Sequence, residues 1–167
     1  MLGLVSKVGA AVVCLAALAL AIAADATAPP APTVLHVSPS LQPAGAPTLP
    51  SPASTLALVR YALLAVDQAN KTGNYTVVRD IGGPDFHDAN DPARLAQIFA
   101  PLRAQGVDMF VVAVTEPLYK EPPRITAKRM LYVAGQFPTT PRRINFELLF
   151  EVVRGQWRIY GISIAPA

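Results

Sequence analysis

Apolar residues recur at Leu56, Val59, Leu63 and Val66, the three- and four-residue spacing of one buried helical face. Tyr61, Leu64 and Leu58 widen that stripe. Ser54 or Thr55 stands where an N-cap belongs, and Gly73 supplies a left-handed stop after Lys71-Thr72, so the pattern predicts a long helix up to Thr72. A shorter helix follows from Tyr75 to Ile81 and is ended by Gly82-Gly83-Pro84. Asp85-Phe86-His87-Asp88-Ala89-Asn90 reads as a polar loop. Asp91-Pro92 then opens a further helix as N-cap and first helical residue, with Leu95, Ile98, Phe99 and Leu102 on its apolar face and Gly106 at its end.

Beyond Val107 the period changes. Phe110 to Val114 is an unbroken apolar run, as a buried strand would show, and Glu116 to Pro123 continues or turns it. Residues 125–137 alternate over the length of a strand, and Pro138 to Pro141 makes a turn. Residues 142–154 carry the clearest alternation: Ile144, Phe146, Leu148, Phe150 and Val152 face one way, while Asn145, Glu147 and Glu151 face the other. Gly155-Gln156 closes a hairpin, and residues 157–164 return. Helices first and antiparallel strands last predict an α+β domain over 54–167, the helical stripe packed on one face of the sheet.

The N-terminal third reads differently. Lys7 is followed by an uncharged run, 8–24, shorter than the about 20 apolar residues of a stable membrane span. Ala21-Ile22-Ala23 and Ala24-Asp25-Ala26 offer cleavage sites, so residues 1–26 read as a secretory signal peptide. The chain is then periplasmic or secreted; the alternative is an uncleaved N-terminal membrane anchor. Eight of the 17 prolines fall from Pro29 to Pro52, and residues 27–53 carry no charge. Proline at that density favours extended polyproline II, so 27–53 reads as a linker.

Composition narrows the function classes. Hydrophobic residues make up 52% and charged ones 15%, enough apolar material for one packed core. With one cysteine, Cys14, the chain can form no internal disulfide and no Cys-based zinc or iron–sulfur site, and two histidines are too few for a multi-His metal centre. No cofactor-binding motif occurs: there is no Gly-rich phosphate loop, no G-x-S-x-G and no CxxC. The net charge is +3, but basic residues such as Lys120, Arg124, Lys128 and Arg129 lack aromatic interleaving, so no nucleic-acid partner is expected.

The opening helix, the GNYTVVRDIGGPDF stretch, the helix after Asp91-Pro92 and the closing NFELLFEVVRGQWRIYGISI hairpin together resemble the NTF2-like (SnoaL-like, cystatin-like α+β cone) superfamily over roughly Ser54 to Ala165. The resemblance implies a curved antiparallel sheet wrapped around a long helix to leave a conical pocket. It also implies a choice of activities, because the superfamily includes isomerases, dehydratases, polyketide cyclases, transport factors, secretion subunits and catalytically silent modules.

Candidate chemistry is sparse. Glu147, Asn145, Tyr132 and Tyr160 could face a pocket, where a carboxyl raised in pKa and a donating tyrosine would move a proton on a carbonyl compound. Against this, alternation normally turns such charges to solvent, where cross-strand arginines would pair with them. His87, with Asp85, Asp88 or Asp91, could act as an oriented base; read plainly it belongs to a solvated loop. Three readings follow: an exported module that binds a small apolar ligand or an envelope protein without catalysis, as a monomer or as a homodimer through its sheet; an isomerase- or cyclase-like enzyme acting on a hydrophobic carbonyl substrate; or a structural subunit of an envelope assembly.

Overall fold

The computed structural model describes residues 46–167; the expected signal peptide and most of the expected proline-rich linker lie outside the described residues. Helix α1 runs Pro52–Thr72. It begins two residues before the expected Ser54, because Ser51 is the cap: its hydroxyl accepts from the Ser54 N–H at 3.1 Å, and Pro52 takes the first turn. Gly73, at φ 75°, ends it, and its N–H donates to the Ala69 carbonyl. Val59, Ala62, Leu63, Val66 and Ala69 are buried, whereas Tyr61, expected to widen the stripe, is exposed.

Four short helices follow: α2 (Thr76–Asp80), α3 (Pro84–Ala89), α4 (Pro92–Ile98) and α5 (Ala100–Ala104). The segment expected to be a polar loop, including His87, is therefore helical; Pro84 starts it and Phe86 fills the core. Asp91 caps α4 as expected, accepting from the Arg94 N–H at 2.7 Å. The helix then breaks at Phe99, because Pro101 lacks the N–H that would bond back into α4. Tyr75 and Phe99 stack with their centroids 6.2 Å apart, and the Tyr75 hydroxyl donates to Asn70 Oδ1 at 2.5 Å.

The apolar run 110–114 is not a strand. It forms a 3-10 helix at Phe110–Ala113 laid against α1. Side chains of α1 take the backbone groups a strand would need. Arg60 donates to the carbonyls of Val112 (3.0 Å) and Thr115 (2.9 Å), and Asp67 accepts from the Met109 N–H (3.0 Å). Only Met109 and Val112 turn inward; Phe110 and Val114 are exposed.

Five antiparallel strands make one open sheet: β1 (Leu118–Tyr119), β2 (Arg124–Ile125), β3 (Leu131–Phe137), β4 (Ile144–Val153) and β5 (Gln156–Pro166). The spatial order is β1-β3-β4-β5, with β2 also paired to β3. The strand expected over 125–137 is thus two, split by a turn in which Arg129 adopts φ 62°. The final hairpin turns on Arg154 and Gly155, both at positive φ, with Val153 opposite Gln156, so the turn falls one residue earlier than read. Opposite Leu149 and Phe150 the β5 register shifts, leaving Tyr160 as the extra residue of a bulge.

Ile144, Phe146, Leu148 and Phe150 are buried, each between inward partners on β3 and β5, whereas Val152, expected on the same side, is 43% exposed near the turn. Their face and the α1 stripe belong to a single buried cluster. The α+β class is therefore as read, with the helix on the sheet.

Candidate functional site

A sheet with helices on one face offers its other face to solvent. On β4 the alternation that buries Phe146 and Leu148 turns Asn145 and Glu147 outward, and both are exposed. Cross-strand register then fixes their neighbours. Asn145 lies between Gln136 and Ala165, and Glu147 between Ala134 and Ser163. Small side chains beside longer polar ones hollow this face into a groove of about 470 Å³, open along one side. Leu118, Tyr119 and Lys120 wall it at the sheet edge. That wall stands close because residue 135 is glycine: a Cβ there would fall 2.6 Å from the Leu118 carbonyl oxygen.

The candidates divide. Glu147 and Asn145 line the groove together, and Tyr132 stands on the same outward face of β3 without lining it. Burial first, then the Glu147 carboxylate, hold the Tyr132 hydroxyl above the usual tyrosine range. The Arg124 guanidinium covers the Tyr132 ring at 4.7 Å and pairs with Glu121 at 3.3 Å. Glu147 therefore has a tyrosine beside it, not the cross-strand arginine expected. Tyr160 sits at the bulge and does not line the groove. His87 is on α3, with Nδ1 3.2 Å from both Arg79 Nη2 and Asp88 Oδ1. A guanidinium can only donate, so Nδ1 accepts from Arg79 and cannot also give a proton to Asp88. This contact does not make an oriented base.

Sequence reasoning missed Gln136, Ser163, Tyr119 and Lys120. Their signal is the same alternation, but it becomes readable only once the strand pairing is known. Tyr119 is held above the usual tyrosine range by burial and by the nearby Glu116 carboxylate, so its hydroxyl is a neutral donor. Among the described residues no group of three or more His, Cys, Asp or Glu could hold a metal ion, and no helix is long and apolar enough to cross a membrane.

Glu147 stands in water rather than in the apolar box that tunes a proton-abstracting carboxyl. The carboxyl that is so confined is Glu151. A methyl group added at Gly83 would lie 1.8 Å from Glu151 Oε1, and that oxygen is buried without a hydrogen-bond partner. Gly83 belongs to the segment strapped to β5, where its N–H donates to the Ile159 carbonyl at 2.8 Å. Burial, then the Asp85 carboxylate, raise the Glu151 pKa above its ordinary 4.5. The folded chain thus holds this proton to higher pH than the unfolded chain does. The group's contribution is complete below the unfolded value and is lost as pH rises through the folded one. Urea titrations across the acidic range should show wild-type stability falling relative to Glu151→Gln as pH increases. Parallel pH profiles for the two proteins would refute the confinement.

The groove offers donors and acceptors on a shallow, small-residue floor, an arrangement suited to holding a polar molecule by several hydrogen bonds. A second groove, more apolar and wide open, lies between α1 and the final hairpin, lined by Leu58, Tyr61 and Trp157. No protein-family model, no curated protein and no solved structure matches this chain.

Proposed function

We propose that this chain is an exported binding module of NTF2-like architecture that works without catalysis, and that it recognises its ligand on the outer face of the sheet rather than beneath α1. The observation that carries the reading is the division of labour across β4. Phe146, Leu148 and Phe150 join the α1 stripe in the buried cluster, while Asn145 and Glu147 stand exposed in the groove. A carbonyl isomerase needs its carboxyl desolvated against the substrate, and Glu147 has no such enclosure. Export rests on the sequence of residues 1–26, and the proline-rich stretch from Thr27 to Pro50, which stops where Ser51 caps α1, supplies reach from the point of attachment or release.

The nearness of the Glu147 carboxylate to the Tyr132 hydroxyl, whose pKa it helps to raise, is the one feature that favours an enzyme, and it gives the test. Glu147→Gln and Tyr132→Phe are exposed or half-exposed changes and should each shift unfolding free energy by about 0.5 kcal/mol or less. Wild type and both variants should be equally inert towards a panel of hydrophobic enones and ketones. Isomerisation by the wild type, lost in Glu147→Gln with the melting temperature kept, would replace this reading with the enzymatic one.

A further inference from the structure

We propose that the outer-face groove is a saccharide site, taking a short, uncharged oligosaccharide laid across the strands. The inference rests on the reading of that face as the recognition surface, and adds the ligand's chemical class.

Direction is the first argument. The lining residues come from β1, β3, β4 and β5 in spatial order, so the trough runs across the sheet. Three inter-strand spacings make it about 14 Å long. An extended peptide in this trough would lie at right angles to the strands and could not pair with a free edge. The edge beside it, β1, is only two residues long.

Chemistry is the second argument. Gln136 and Asn145 are direct cross-strand partners, so two carboxamides stand side by side, each with two N–H donors and a carbonyl acceptor. One row along β4, Glu147 and Ser163 are likewise opposite one another, adding a carboxylate acceptor and a hydroxyl that both gives and takes. The rows are about 7 Å apart, two residues along a strand. A ring bearing adjacent hydroxyls, each both donor and acceptor, matches such mixed planar groups better than a one-sided anion or cation does. The Lys120 ammonium and the Glu147 carboxylate both border the groove, so its edge favours neither sign of charge.

Shape is the third argument. Ala134, Ser163 and Ala165 keep the floor low, and the exposed Tyr119 stands at the wall, where its ring can cover the C–H face of a sugar. A purely apolar ligand would find no enclosure here and would bury the carboxamides unsatisfied.

The test is a set of NMR titrations of the full chain with four probes: cellotriose, maltotriose, triglycine and decanoate. A trisaccharide should shift the amides of residues 134–136, 145–147 and 163–165. Asn145→Ala and Tyr119→Ala should each weaken its binding by about tenfold, the loss of roughly one good contact. Ala165→Trp, an addition at an exposed position, should fill the floor and abolish binding with the melting temperature unchanged. Triglycine or decanoate moving these amides while both trisaccharides do not would overturn the saccharide assignment and leave the recognition face standing. Trisaccharide shifts confined to other residues, or none at all, would overturn it too. Sedimentation showing a dimer that Ala165→Trp dissociates would reassign the groove to a second copy and overturn both readings.

Discussion

Phe150→Ala should cost about 3–5 kcal/mol of unfolding free energy, the range for removing a large buried aromatic side chain. The side chain is 1% exposed at the centre of β4. Its cross-strand partners are Leu131 and Ile159, both buried, so the vacated volume would be walled on both sides by the sheet and roofed by the helical layer. Relaxation into that space is hindered. The register shift beside Phe150 fixes which residues of β5 face inward, and the strap through Ile81 and Gly83 holds Ile159 from its other edge. A domain of this size has about 5–15 kcal/mol in total, so the variant would approach the folding threshold. Urea denaturation gives the number, and Phe150→Leu, which keeps most of the volume, should retain more than half of the lost stability. A loss under about 1 kcal/mol for the alanine variant would mean that the α1 stripe and the sheet do not share one rigid core.

The elements that were legible in the sequence are those with a period and a local stop. α1 declares itself by spacing and by Gly73, and β4 by strict alternation from Ile144 to Phe150. The run at 110–114 failed for a physical reason. An apolar stretch without polar punctuation fits a strand or one turn of helix equally well, and here distant side chains decided it. Arg60 and Asp67 on α1 claim its backbone groups, and neither residue announces that role locally. Val152 broke the alternation for a similar reason, since the approach to the Arg154–Gly155 turn lifts that end of the hairpin away from the core.

The candidate site was half legible. Glu147 and Asn145 were readable because alternation alone sends them to the face opposite Phe146. Gln136, Ser163 and the β1 wall were not, because they join the groove only through register, and register depends on a bulge at Tyr160 and a close approach at Gly135 that have no clear sequence mark. His87 stood out by its chemistry, and of the carboxylates beside it in sequence Asp88 does meet it, but on α3 its Nδ1 is shared with the Arg79 guanidinium, a partner that the sequence does not place there.

Asp67→Ala should be the most damaging polar substitution, at about 3 kcal/mol. Its carboxyl is 1% exposed. One oxygen accepts from the Met109 N–H at 3.0 Å and the other from Lys71 Nζ at 2.8 Å. Alanine removes a hydrogen bond to a charged group, worth about 1.5–3 kcal/mol, and strands the Met109 N–H beside a residue that is itself fully buried. Lys71 suffers less, because it is half exposed and keeps Asp108 at 2.9 Å. The asparagine variant separates the two contributions. Its amide oxygen can still accept from Met109, while its NH2 would face the Lys71 ammonium, donor against donor, so the cost should fall to about half. Hydrogen exchange locates the damage: Asp67→Ala should speed exchange at Met109 and through the 3-10 helix before it affects β4. Equal losses for the alanine and asparagine variants, with exchange at 109–113 unchanged, would show that α1 does not hold this segment. The unbroken run of apolar residues would then need another reason not to be a strand.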